Sequence, residues 1–233
     1  MRLLNTLKND IRFQVKYGFY FLYAFFSAVY IVILRMTPAE YKGIVGSLIV
    51  LTDPAMLGIF FIGGIWLLEK GEGLHRFWCI SPLRPVEYIL GKSISLAALS
   101  MLSADLIVCV GIGSIHHFFY LSVSVFIGAI IFNLIGLIIA TYARSVNHYM
   151  LIAILPSIFV SIPPLLTAFN LTHPVLEIFP GTALWHLIVN AMNTSLQMNG
   201  WLGINLSFWL VCLLFMANKR IEVALRSEGD EKI

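Results

Sequence analysis

Apolar residues in this chain come in long, nearly unbroken runs, with neither the alternation of a strand nor the narrow stripe of a soluble helix: 17–34, 44–68, 89–115, 118–143, 150–169 and 201–217. A helix rises ~1.5 Å per residue, so roughly 20 apolar residues cross the ~30 Å of a bilayer's hydrocarbon. Six membrane-spanning helices are therefore predicted. Ahead of them Leu3, Leu4, Leu7, Ile11 and Val15 recur at helical spacing, with Arg2, Lys8, Arg12 and Lys16 distributed around them. That pattern suits a helix lying on the membrane surface. A cleaved signal peptide fits less well, because the charges extend too far and 17–34 is long for its apolar core.

A seventh apolar stretch, 174–192, is interrupted by Pro180 and Gly181, and neither half is long enough to cross. It reads as a re-entrant or interfacial hairpin between spans five and six. The expected organisation is a single all-α polytopic membrane domain. It comprises an interfacial helix (1–16), a six-span bundle (17–217), a polar loop (69–92), the re-entrant segment (170–200) and a tail (218–233).

Composition agrees. Of 233 residues 59% are hydrophobic and 12% charged, with mean hydropathy +0.89, and a soluble domain carries about twice that charged share. The net charge of +3 does not point to nucleic acid once the bases are placed between the spans. With the N-terminus inside, only Arg35 and Lys42 of the 15 Lys and Arg fall outside, which puts both termini in the cytoplasm. A seventh span would move Lys219 and Arg220 outside, against that bias. The cysteines Cys79, Cys109 and Cys212 are scattered and form no disulfide or metal pattern, and His116-His117 in a short outer turn point apart. No metal site is expected.

The loop over 69–92 is the longest charged passage between apolar blocks. Gly91-Lys92-Ser93 looks like the end of a phosphate loop, but Val86 stands where the first glycine belongs and the segment runs on into an apolar helix. No ATPase site is expected. Gly71 and Gly73 relax the backbone, Leu74, Phe77 and Trp78 supply apolar anchors, and Pro82 and Pro85 set a turn before Glu87. Anchors ringed by charge suit a docking surface, and equally a loop held in the headgroups by Trp78.

The run E-K-G-E-G-L from Glu69, followed by S-P-L-R-P-V-E-Y-I-L-G-K from Ser81, resembles the coupling segment of type-two ABC transporter permeases. The likeness covers the whole chain. Through Asp53-Pro54 and F-F-I-G-G-I-W-L-L-E-K from Phe60 it is most similar to the drug-export, fluoroquinolone-type permeases. The resemblance implies that Glu69, Glu72, Gly73, Arg76, Trp78, Ser81, Pro82, Glu87 and Lys92 contact a separate ATP-binding subunit. ATP and Mg would then be held on that partner and no cofactor on this chain. It further implies an inner-membrane location and a second permease copy or paralogue completing a translocation pathway.

Asp53 and Asp105 are the acids deep in apolar runs, and a charge there costs about 3 kcal/mol on insertion scales. Thr52-Asp53-Pro54 has the pattern of a helix N-cap followed by proline, so Asp53 is expected to cap. Asp105 is either a hydrogen-bonded acid in helix packing or, with Ser103 and Asn133, part of a pathway for cationic or zwitterionic cargo. Pro156, Pro163 and Pro164 break helical hydrogen bonds in span five, as either a flexible gate or a static kink, and Gly128, Gly136 and Ala140 imply close packing in span four. A stand-alone secondary transporter or a membrane-embedded enzyme are the rival functions; the first lacks an internal repeat and the second a convergent catalytic cluster.

Overall fold

A computed structural model describes residues 2–75, 84–113, 117–171, 173–193 and 199–230, with side chains within 6–225. Helix α1 (Arg2–Lys16) leads into α2 (Phe19–Met36). Next come α3 (Lys42–Val50), a π-helical turn (Leu51–Ala55) and α4 (Gly58–Gly71). They are followed by α5 (Pro85–Gly111), α6 (Phe118–Ala140) and α7 (Val146–Ala168). A 3₁₀ turn (Leu176–Ile178), α8 (Pro180–Met192) and α9 (Gly200–Asp230) complete the chain. No strand occurs among the described residues. Among the described residues six helices are long and apolar enough to cross a membrane: Phe19–Met36, Lys42–Gly71, Pro85–Gly111, Phe118–Ala140, Val146–Ala168 and Gly200–Leu225.

Helix α6 is the central post, packed against α4, α5, α7, α8 and α9. Its small residues permit this. A side chain at Gly136 would strike the Ile59 backbone of α4, and one at Gly128 would strike Leu184 of α8. Across the α4–α7 contact, Tyr149 fills the space left by Gly63 and donates its hydroxyl to the Ile59 carbonyl. Two apolar cores result. One gathers Trp66, Tyr88, Leu96, Leu134 and Tyr149 at the end carrying α1, the other Val50, Met56, Val108, Phe132 and Trp185 at the far end.

Helix α8 has nine of its buried residues facing neighbours, yet at ~1.5 Å per residue it is only about 20 Å long and does not cross. Its first residues touch Val160 and Pro164 of α7, Leu184 meets Gly128 of α6, and Met192 meets Gly46 and Ser47 of α3. It therefore lies across the far half of the bundle. Helix α9 continues past the expected end of the last span, so the tail is helical through Asp230.

The second span departs from a single smooth helix. Pro54 lacks an N–H, and the ladder widens into the π turn around it. Asp53 is consequently inside the turn with helical backbone on both sides; it caps nothing, and α4 begins after Leu57. The expected capping role is corrected. Buried Asp53 instead meets the Tyr30 hydroxyl of α2.

Candidate functional site

The amphipathic α1 has three faces. Ile11 and Val15 are exposed, and Lys8, Arg12 and Lys16 are exposed beside them. The third face, the row Thr6, Asp10 and Gln14 at i, i+4, i+8, is buried against α5. Gly91 admits the approach, since a side chain there would strike Thr6. Gln14 Nε2 donates to Ser95 Oγ at 2.8 Å, and Ser95 Oγ donates to the Lys92 carbonyl at 3.0 Å.

At the centre of this contact lies an ion cluster drawn from three elements. Lys92 Nζ of α5 donates to Asp10 Oδ1 of α1 at 3.1 Å and pairs with Glu69 Oε1 of α4. The Tyr88 hydroxyl donates to the other Glu69 oxygen at 2.7 Å, and the Tyr88 ring lies 4.8 Å from Nζ. Lys92 is 1% and Glu69 2% exposed, so the pair has almost no water to screen it. Burial pushes the Asp10 carboxyl above its ordinary range; Lys92 opposes this and the Glu69 charge adds to it. Three buried ionisable groups that share partners act as one unit.

From this cluster a line of hydroxyls continues along α5 and joins it to α2. Tyr23 Oη and Ser100 Oγ are 3.0 Å apart, and Ser27 Oγ and Ser103 Oγ 2.7 Å apart. Together with Tyr30 and Asp53 they form a polar seam that fastens α2 to the second and third spans.

The residues expected to meet an ATP-binding partner divide accordingly. Glu72 is exposed just past α4, takes the Tyr17 hydroxyl, and lies 3.5 Å from Lys16 Nζ. The Tyr17 hydrogen bond holds its carboxyl below the usual range. Gly73 has φ 73°, the left-handed region that favours glycine. Glu87 accepts the Arg84 backbone N–H at 2.9 Å, and Pro85 occupies the first turn, so together they start α5. Arg76, Trp78, Ser81 and Pro82 lie outside the described residues. Glu69 and Lys92 are corrected: enclosed in the ion cluster, they present no surface to a partner. Gly91-Lys92-Ser93 likewise has a packing explanation, for Gly91 seats α1, Lys92 carries the charge pair and the Ser93 carbonyl accepts from Asn133 Nδ2 at 3.1 Å.

The pathway candidates scatter as well. Ser103 is enclosed against Ser27, and Asn133 is 0% exposed with its amide oxygen filling the space beside Gly58. Both are helix-packing residues here, and their assignment to a pathway is corrected. Asp105 differs: half-buried, it accepts from Ser122 Oγ at 2.8 Å between exposed Leu102 and Leu106. The residues that sequence reasoning missed are Asp10, Gln14 and Tyr88. A signal existed in the four-residue spacing of Thr6, Asp10 and Gln14, a polar row beside the apolar one.

At the far end Asn205 Nδ2 of α9 donates to the carbonyls of Glu177 and Ile178 at 3.1 and 3.0 Å, and Trp209 Nε1 donates to Ile178 at 2.8 Å. The turn before α8 is thereby fastened to the last span. His186 Nε2 and Glu177 Oε1, 3.1 Å apart, join the same turn to α8. Among the described residues no cluster of His, Cys, Asp and Glu could hold a metal.

Six membrane-length helices, a polar-faced amphipathic helix clamped to them and a short helix buried across one end define a multi-pass helical membrane protein. The family match makes that class specific. The chain belongs to the fluoroquinolones export permease protein family, whose pattern matches residues 1–224. A fluoroquinolones export permease protein of Mycobacterium tuberculosis, found in two strains, is 26% identical over 180 residues, covering 77% of this chain and 76% of its own.

Proposed function

We propose that this export permease is the membrane half of an ATP-driven exporter, moved by a separate ATP-binding subunit that grips the loop between α4 and α5. The carrying observation is the Asp10–Lys92–Glu69 cluster, which ties α1, α4 and α5 together directly beneath that loop. A push on Glu72 or Gly73 enters two spans and the interfacial helix at once, because a packed ion cluster transmits displacement instead of absorbing it. The contact set is exposed Glu72 and half-buried Gly73, with Arg76, Trp78, Ser81 and Pro82 carried over from the resemblance, and Glu69 and Lys92 move behind it as force-bearing residues.

In this reading the α1 end is cytoplasmic, since it gathers the Lys and Arg, and the membrane is the inner one. A second copy or a related chain completes the pathway, ATP and Mg stay on the partner, and the cargo is a hydrophobic or amphipathic compound such as a drug. The name of the mycobacterial relative favours a fluoroquinolone-like cargo. Asp105, half-exposed and held by a single hydroxyl, is the group on the bundle surface suited to a zwitterion's ammonium.

The test is whether a separate ATP-binding protein co-purifies with this chain from the native membrane, followed by transport in proteoliposomes holding the two. Glu72→Ala with Trp78→Ala is expected to leave ATP hydrolysis running while export falls by about tenfold or more. Normal export by that double variant, or cargo movement by this chain with no ATPase present, overturns the reading.

A further inference from the structure

The exporter reading uses the buried face of α1 and leaves its outer faces without a role. Each residue of a helix turns about 100° from the last, so the positions of α1 can be placed around its axis relative to Asp10, the centre of the buried row. Lys8 and Arg12 then stand about 160° from Asp10 on either side, pointing away from α5. Ile11 and Val15 occupy one flank, at about 100° and 140°, and Asn9 and Lys16 the other, at about 100° and 120°.

Contacts fix which flank faces water. Lys16 Nζ lies 3.5 Å from Glu72 Oε1, and Glu72 follows the end of α4. The flank of Asn9 and Lys16 is therefore the outer one, and that of Ile11 and Val15 is turned toward the membrane. Depth comes from α2. With 18 residues it rises about 27 Å, barely the thickness of the hydrocarbon, so Phe19 stands at the boundary. Helix α1 ends at Lys16, just ahead of it, and Gly18 at φ 76° makes the corner between the two helices. On α5 the contacts of α1 are Gly91 and Ser95, and Gly91 is about 30 Å from Gly111 at the far end of that span. Both measures put α1 in the headgroup layer.

Charge selects the headgroup. The single acid of α1, Asp10, is buried and spent on Lys92. The Lys8 and Arg12 side chains are exposed, and among the described residues no carboxylate or hydrogen-bond acceptor engages them. Ile11 and Val15, 42% and 58% exposed, adjoin them on the membrane side. Cations at headgroup depth, with apolar side chains dipping beneath them from the same helix, make a surface that holds acidic lipid. We infer that α1 gathers anionic phospholipid in the leaflet at its own end, with Lys8 and Arg12 on the phosphates and Ile11 and Val15 among the first acyl carbons. The ion cluster fixes the roll of the helix: with Asp10 locked to Lys92, the cations cannot turn away from the headgroups. A zwitterionic lipid offers the same phosphate beside its own ammonium, which the two cations repel. This inference needs only that the chain spans a membrane, not that an ATPase drives it.

The test uses the full chain in nanodiscs, with Cys79, Cys109 and Cys212 changed to serine and a bimane fluorophore on Val15→Cys or Asn9→Cys. The quenchers are phosphatidylglycerol and phosphatidylcholine brominated on the acyl chain, and iodide in the water. The Val15 label is expected to be quenched by phosphatidylglycerol at an about fivefold lower lipid fraction than by phosphatidylcholine, since a cation at an acidic surface contributes about that factor. The Asn9 label should be reached by iodide and hardly by either lipid. Lys8→Gln with Arg12→Gln should bring the two lipids together at the Val15 label; both side chains are exposed, so this variant should unfold at the wild-type temperature. Equal quenching by the two lipids with Lys8 and Arg12 in place overturns the anionic preference. A preference that survives the double variant assigns it to the field of other cations and overturns the site. Iodide reaching Val15 as readily as Asn9 leaves only a bound protein to cover that face, and overturns the lipid occupant.

Discussion

Lys92 illustrates how one buried cation can hold three helices. Its two carboxylates, Asp10 and Glu69, lie on separate elements and meet water hardly at all, so removing the ammonium leaves like charges facing each other in a poor solvent. Lys92→Met is expected to cost about 3–5 kcal/mol in denaturant unfolding. The neutral combination Asp10→Asn, Glu69→Gln, Lys92→Met should recover more than half of that, and failure to do so would mean that volume, not charge, governs the site. The pH response follows from Asp10. Its carboxyl is raised above the ordinary 3.8, so its contribution is fully present below the unfolded value and is lost as pH rises through the folded one. Relative to Asp10→Asn, the wild type should therefore gain in unfolding midpoint as pH falls from neutral to about 4. Glu72 has the opposite sign: its lowered carboxyl stabilises above the ordinary 4.5 and stops doing so as pH falls through the folded value.

Helices in this bundle meet at positions where one partner has almost no side chain. The crossing of α4 and α6 is the tightest of these, because the neighbour of Gly136 is the Ile59 backbone, which cannot rotate out of the way. Gly136→Ala should lower stability by about 1–3 kcal/mol in thermal or denaturant unfolding. Gly64→Ala is the contrast. It lies on the same α4 with open space where the new carbon would go, and should be neutral or stabilising by a few tenths of a kcal/mol. Equal losses at the two positions would show that helix flexibility, not the crossing, sets the cost.

For the molecule as a whole, the two ends are built differently. The α1 end is closed by charge and hydrogen bonds drawn from α1, α4 and α5, whereas the far end is closed by α8 lying across the bundle and by the Asn205 and Trp209 bonds to the turn before it. Asn205→Leu with Trp209→Phe removes those fasteners and keeps an aromatic ring where Trp209 packs against a core. Hydrogen exchange over residues 173–180 is expected to rise by about tenfold or more while α4 and α5 stay protected, since local opening need not involve the global transition. Unchanged exchange there would assign the closure to α8 packing alone.

Much of this architecture could be read from the amino acids before any coordinates. Run length against bilayer thickness is a one-dimensional test, and it found six spans and a broken segment near Pro180 that cannot cross, while helical spacing marked the N-terminal helix. What a run of letters does not contain is the side of a helix that meets another helix. Asp53 reads as a cap because Thr-Asp-Pro usually starts a helix, and the helix already present before it turned the same residues into a π bulge. Glu69 and Lys92 read as surface charges because charge is normally solvated; Asp10, 59 positions or more distant in the chain, is what made their burial affordable. Such pairings are long-range in sequence and short-range in space, so packing alone could assign them.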